Sequence, residues 1–268
     1  MQLVKSTNML GKTRIRFSLI VLFIYFVSNL YAQNIVYDET EESDVGLRLS
    51  AEISNRFNRF WSVSLEEEVR FRDDISTFDR LYSTVAVTYR INPYFHTSLA
   101  YQHRLIQQKG KASTNYQGYL DFRHRGILSV SFSYPVGQFE FSLRQRLNGT
   151  LRTDSVNPLE KSNPQIISRT RMQAEYSFWS IPLKPYVSVE MFNPLNNPAY
   201  ISDVWLETMR YTGGFTYRLD ARSRIELYYF YEDEMSKDVN IGRNSGRVTI
   251  TTEKEHNHVL GIAYQYRF

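Results

Sequence analysis

The chain of 268 residues contains no cysteine, which excludes both a disulfide framework and thiolate-ligated metal sites. No apolar run reaches the roughly 20 residues that a membrane-spanning helix needs; the longest, FSLIVLFIYFV from Phe17 to Val27, stops well short. Gly-rich phosphate loops, zinc-ligand spacings, dinucleotide fingerprints and repeats of solenoid length are all missing. Nor is there a charge excess to attract a polyanion. The net charge of +4 comes from Lys5, Lys12, Arg14 and Arg16, and without them 28 basic residues face 28 acidic ones. No nucleic-acid partner is expected.

Those four cations precede the apolar run, and Leu30-Tyr31-Ala32 places a small residue just before Gln33. This is the order of a secretory signal, so residues 1–32 are expected to be cleaved on export. No cysteine follows the apolar core, so the signal is not of the lipoprotein type. Residues 33–44, with the stretch DETEESD, read as an acidic leader.

From Val45 to Phe268 the dominant pattern is alternation with period two, the mark of strands with one apolar face. Val45, Leu47, Leu49, Ala51 and Ile53 begin it; Leu128, Val130, Phe132 and Tyr134 alternate strictly with serines. Eleven such runs can be counted. From Asn92 onward, short turns alternate with polar loops of about ten to sixteen residues, the asymmetry of transmembrane barrels. No Lys or Arg occupies the apolar face in the middle of any run. Glu67 is the exception to the apolar face, between Leu65 and Val69, and implies a bulge or a position near an interface. The expected fold is all-β, a transmembrane antiparallel up-and-down barrel of ten to twelve strands. Twelve is preferred because single-chain bacterial barrels have an even number. A secreted β-sandwich would also alternate, and a mean hydropathy of −0.42 is compatible with it.

The chain stops on HVLGIAYQYRF, with Leu260, Ile262, Tyr264, Tyr266 and Phe268 on one face. This resembles the closing strand of bacterial outer-membrane barrels, in which the terminal aromatic is read by the assembly machinery. Tyr264, Tyr266 and Phe268 are accordingly the expected assembly signal. The opening block, LSAEISNRFNRFWSVSLEEEVRFRDD followed by FDRLYSTVAVTYRINPYFHTSLAYQHR, resembles the exported barrels catalogued as domain-of-unknown-function 2490. The resemblance implies a place in the outer membrane of a Gram-negative-type bacterium, against lipid and lipopolysaccharide. It implies no activity.

The inward face is where chemistry is expected. It collects Arg104, Arg123, Arg125, Arg144, Arg146, Arg169 and Arg171, together with Glu66, Glu68, Glu140 and Glu175. Arginine suits forked pairing with carboxylates on neighbouring strands, so one reading is a structural ladder filling the barrel. The other is a polar pathway that prefers anions, as rings of arginine do in pores. His96 and Ser98 lie two apart on one strand face, the spacing of a nucleophile and its base, and resemble the His-x-Ser of outer-membrane lipid hydrolases. They face inward rather than to lipid, and no third residue orients them. His256 and His258 have a spacing that could chelate a metal. The tyrosines and phenylalanines near strand ends read as interfacial girdles. No cofactor is expected. The reading is a barrel of unassigned activity: a passive small-solute channel with a weak preference for anions, or else a plugged structural or docking barrel without conductance, or an outer-membrane lipid hydrolase.

Overall fold

The computed structural model describes residues 35–108, 118–153, 157–159, 161–241 and 247–268. Within them lie β1 (Ile35–Arg56), β2 (Trp61–Arg72), β3 (Thr77–Arg90), β4 (Phe95–Gln107), β5 (Leu120–Val136) and β6 (Phe139–Arg152). The order continues with β7 (Gln165–Tyr176), β8 (Leu183–Pro194), β9 (Thr208–Arg218), β10 (Ser223–Ile241) and β11 (Val248–Arg267). The strands pair in chain order, and β1 meets β11 to close a barrel. The expected signal segment lies outside the described residues.

Alternation places the apolar side chains outside. Leu65, Val85, Leu99, Leu128, Val187 and Leu260 are exposed, while Arg104, Asp121, Glu190 and Glu232 are buried within. A water-soluble barrel would invert this distribution. At the end with the short turns, aromatic rings pair across strands. Their centroids lie 4.7 Å apart for Trp61 and Tyr89, 4.8 Å for Phe95 and Phe132, and 5.0 Å for Phe139 and Tyr176. Those turns are closed by short polar side chains. Asn58 Oδ1 accepts from the amides of Phe60 and Trp61, Asn92 Oδ1 from Tyr94 and Phe95, and Asp220 Oδ1 from Arg222 and Ser223. The amides of Arg222 and Ser223 hold the Asp220 carboxyl below the usual carboxylate range.

Among the described residues the strand count is eleven, not the preferred twelve. From Leu120 to Val136 the chain is the single strand β5, unbroken at Arg125-Gly126. Residues 35–44 of the expected acidic leader form the first part of β1, which runs on without a break to Arg56. An odd number of up-and-down strands makes the first and last run in the same direction. The seam is therefore parallel. Lys254 Nζ meets Glu39 Oε1 at 2.5 Å, His256 Nε2 meets Glu41 Oε1 at 3.1 Å, and the Phe268 amide donates to the Ser54 carbonyl at 2.9 Å. Residue numbers climb together on both strands.

Glu67 does point outward, and the bulge in the β2–β3 pairing lies between Arg70 and Phe71, beyond it. Glu67 stands opposite Ser83, whose hydroxyl donates to it at 2.8 Å. The same cross-strand row continues through His103 and His124, so the outward face carries one polar stripe. At the other end of β2 the chain turns through Asp73, Asp74 and Ile75, all at positive φ (54°, 55° and 67°). The Asp44 carboxylate accepts from the amides of Asp73 and Asp74 at 3.1 and 3.2 Å, which supports this costly left-handed turn.

Candidate functional site

Arginines and aromatic rings alternate around much of the barrel interior. Tyr82 of β3 lies between Arg70 and Arg104, whose guanidinium carbons are 4.4 and 4.5 Å from the ring centroid. Phe230 of β10 lies between Arg48 (4.3 Å) and Arg210 (4.6 Å). Phe192 of β8 lies between Arg169 (4.1 Å) and the same Arg210 (4.9 Å). Each stack is worth about 0.5–2 kcal/mol, the upper end when water is excluded. Tyr82 and Phe230 retain 3% and 1% exposure, so this belt is packed rather than loosely lined.

Carboxylates neutralise only part of it. Glu68 pairs with Arg70 at 2.5 Å, Glu232 with Arg210, and Asp121 with Arg123. Glu190 accepts from three arginines at once: Arg169 at 2.9 Å, Arg210 at 3.4 Å and Arg144 at 3.5 Å. The need for sharing follows from register. Arg144 stands opposite Arg171 and Arg146 opposite Arg169, so β6 and β7 present four cations to one another. Like charges directly opposite are destabilising. Arg125 bonds Thr150 at 2.8 Å, and Arg171 bonds Gln173 at 2.6 Å. The Nε atoms of Arg104, Arg144, Arg146, Arg169 and Arg171 are buried without a hydrogen-bond partner among the described residues. The acids gather elsewhere: Glu66 faces Glu52, Glu140 faces Glu175, and Glu175 reaches Lys184 at 2.6 Å.

Above the belt, towards the long loops, a cavity of about 590 Å³ opens. Arg72, Arg80, Arg104, Arg123, Arg125 and Arg152, from β2 to β6, form one side of it. Glu232, Glu234, Glu253 and Glu255 of β10 and β11, with Glu207 just before β9, form the other. Lys237 of β10 donates to Asp203 of the β8–β9 loop at 2.6 Å and holds that loop carboxyl below its ordinary range.

The other candidates fall in different places. Ser98 Oγ lies 2.5 Å from Ser129 Oγ, and no hydrogen bond joins it to His96 among the described residues. His256 and His258 face outward, each with Nδ1 on a β10 tyrosine: Tyr231 at 2.9 Å and Tyr229 at 2.7 Å. Among the described residues no group of three or more acidic or imidazole side chains is arranged to hold a metal. Tyr264, Tyr266 and Phe268 lie on the outward face beside the seam; the rings of Tyr266 and Phe268 meet edge-on with centroids 5.0 Å apart.

The family model described as "Protein of unknown function (DUF2490)" matches residues 46–240, well over half of the chain. The chain belongs to this family. No curated protein matches it. Among solved structures it is similar to the NanC porin, at 12% identity and a TM-score of 0.43, covering 70% of this chain and 86% of that one. It is also similar to LpxR from Salmonella typhimurium, at 8% identity and a TM-score of 0.45, covering 81% and 87%. OmpT of Vibrio cholerae matches at 13% identity and a TM-score of 0.40, covering 77% of this chain and 64% of OmpT.

The residues that sequence reasoning missed are the inward rings. Tyr82, Phe192, Tyr228 and Phe230 fall outside the expected lumen set, because the sequence pattern alone reads aromatics as girdle residues. Their phase was the available signal: Tyr228 and Phe230 alternate with the outward Leu227 and Tyr229.

Proposed function

We propose that this chain is an exported outer-membrane barrel that admits small polar solutes from its loop end, with a modest preference for anions. An apolar outward face, free of cations in mid-strand, suits a bilayer, where Arg or Lys at the midplane costs about 2–4 kcal/mol. The paired rings at the turn end suit an interface between lipid and water. In this reading the signal segment directs export, the assembly machinery takes up the strand ending in Phe268, and lipid and lipopolysaccharide cover the outside.

The observation that carries the anion preference is the shortage of carboxylates around Arg125, Arg144, Arg146, Arg169 and Arg171. A second reading, a plugged barrel, is favoured by the near-complete burial of Phe230 and Tyr82 in the belt. Planar-bilayer recording separates the two. With a potassium chloride gradient the channel reading expects discrete steps and a reversal potential on the chloride side. Replacing Arg125 and Arg146 by Gln is expected to move that potential towards zero. A refolded barrel that inserts but gives no steps leaves the plugged reading standing.

A further inference from the structure

The cavity above the belt is charged in a directional way. On its β2–β6 side, Arg104 and Arg125 make no ion pair among the described residues; they donate to the hydroxyls of Tyr82 and Thr150. Arg104 is 6% exposed, lines the cavity, and keeps its Nε without a partner. On the opposing side Glu207 and Glu234 likewise make no ion pair among the described residues. Neighbouring Glu232 is already taken up by Arg210. In the closed strand order β4 and β5 lie across the barrel from β10 and β11, so the basic and the acidic groups line opposite sides of one cavity.

A wholly anionic solute would gain at Arg104 and Arg125 but be repelled by Glu207 and Glu234. A wholly cationic one meets the reverse. Only a solute with both charges, separated along its length, gains on both sides. The volume of about 590 Å³ falls within the range of small-molecule sites. We infer that the cavity is a binding site for small zwitterions of the amino-carboxylate class, with the carboxylate towards Arg104 and Arg125 and the ammonium towards Glu207 and Glu234. Polar solutes enter water-filled clefts along such fields, and opposite patches fix their orientation. This inference rests on the reading that the cavity admits solutes, and it adds which of them stay.

The test is calorimetric titration of the full-length refolded barrel in detergent, which does not depend on conductance. The probes are γ-aminobutyrate and ε-aminocaproate as zwitterions of two lengths, butyrate as the anion alone, and butylammonium as the cation alone. At least one zwitterion is expected to bind about tenfold or more tightly than either single-charge probe. Glu234→Gln is expected to remove that advantage by weakening the zwitterion to the level of butyrate. Arg125→Gln is expected to weaken it to the level of butylammonium. Glu207→Gln, at the other carboxylate of the acidic side, is the second variant should Glu234→Gln fail to fold; retained heat-modifiable gel mobility shows which variants are folded. Butyrate binding as tightly as both zwitterions would overturn the inference, as would an advantage that survives these substitutions or a barrel that binds none of the probes. The anion-selective conductance proposed above can fail while the zwitterion binds, and the reverse, so the two failures are distinguishable.

Discussion

A single atom governs the fit around Tyr228. Its ring lies over Gly261 of β11, where an added Cβ would run into the ring, and its Cβ stands only 2.7 Å from where a Cβ on Gly214 would be. Neither glycine has an unusual backbone; the space of the missing side chain is taken by the Tyr228 ring at Gly261, and by the Leu227 carbonyl with Cα and Cβ of Tyr228 at Gly214. Gly261→Val is therefore expected to cost about 1–3 kcal/mol through overpacking. Gly149, with nothing within 4 Å of its added Cβ, tests the opposite case. Gly149→Ala is expected to change stability by less than about 0.5 kcal/mol. Urea unfolding of the refolded barrel, followed by tryptophan fluorescence, measures both. The complementarity of Gly261 and Tyr228 was not legible in the sequence, since it depends on which residues of β10 and β11 meet. That Tyr228 faces inward was legible from its alternation with Leu227 and Tyr229.

At the scale of strands, direction and phase were largely written in the sequence, while closure was not. Each apolar run is a local pattern, so β2 to β9 could be read one at a time, and the outward side of each followed from residues such as Leu65, Val85 and Leu99. The fate of residues 35–44 depends on partners more than two hundred residues away. Glu39 and Glu41 look like a solvated acidic leader until Lys254 and His256 are brought beside them. That pairing makes the seam parallel and the count odd. Because the chain has no native cysteine, the seam can be tested by cross-linking. Glu41→Cys with His256→Cys is expected to cross-link in the folded barrel with a short bismaleimide. Glu67→Cys with Ser83→Cys, neighbours in an antiparallel pair, is the positive control. Cross-linking of the control without the seam pair would reject the parallel closure.

For the molecule as a whole, the interior is a charge-sharing network in which one carboxylate supports several strands. Glu190, on β8, draws Arg144 of β6, Arg169 of β7 and Arg210 of β9 towards one point, with its side chain 5% exposed. Without it, the opposed pairs Arg144–Arg171 and Arg146–Arg169 keep their repulsion and lose the acceptor that offsets it. Removing one partner from a buried ion cluster typically costs about 3–5 kcal/mol, because the remaining charges stay buried and uncompensated. Glu190→Gln preserves the shape of the side chain and removes only its charge, so it isolates this effect. The variant is expected to unfold at clearly lower urea. Adding Arg144→Gln is expected to restore part of the loss, since one of the stranded cations goes with it. The double variant thus reads the coupling directly. Strictly additive losses would mean that Glu190 and Arg144, at 3.5 Å, do not act on one another. If the barrel conducts, the same Glu190→Gln change is expected to strengthen anion preference, because it removes a negative charge from the arginine-rich side. Stability and selectivity should therefore move in opposite directions at this residue, a trade expected when the groups that fill a lumen also set its field.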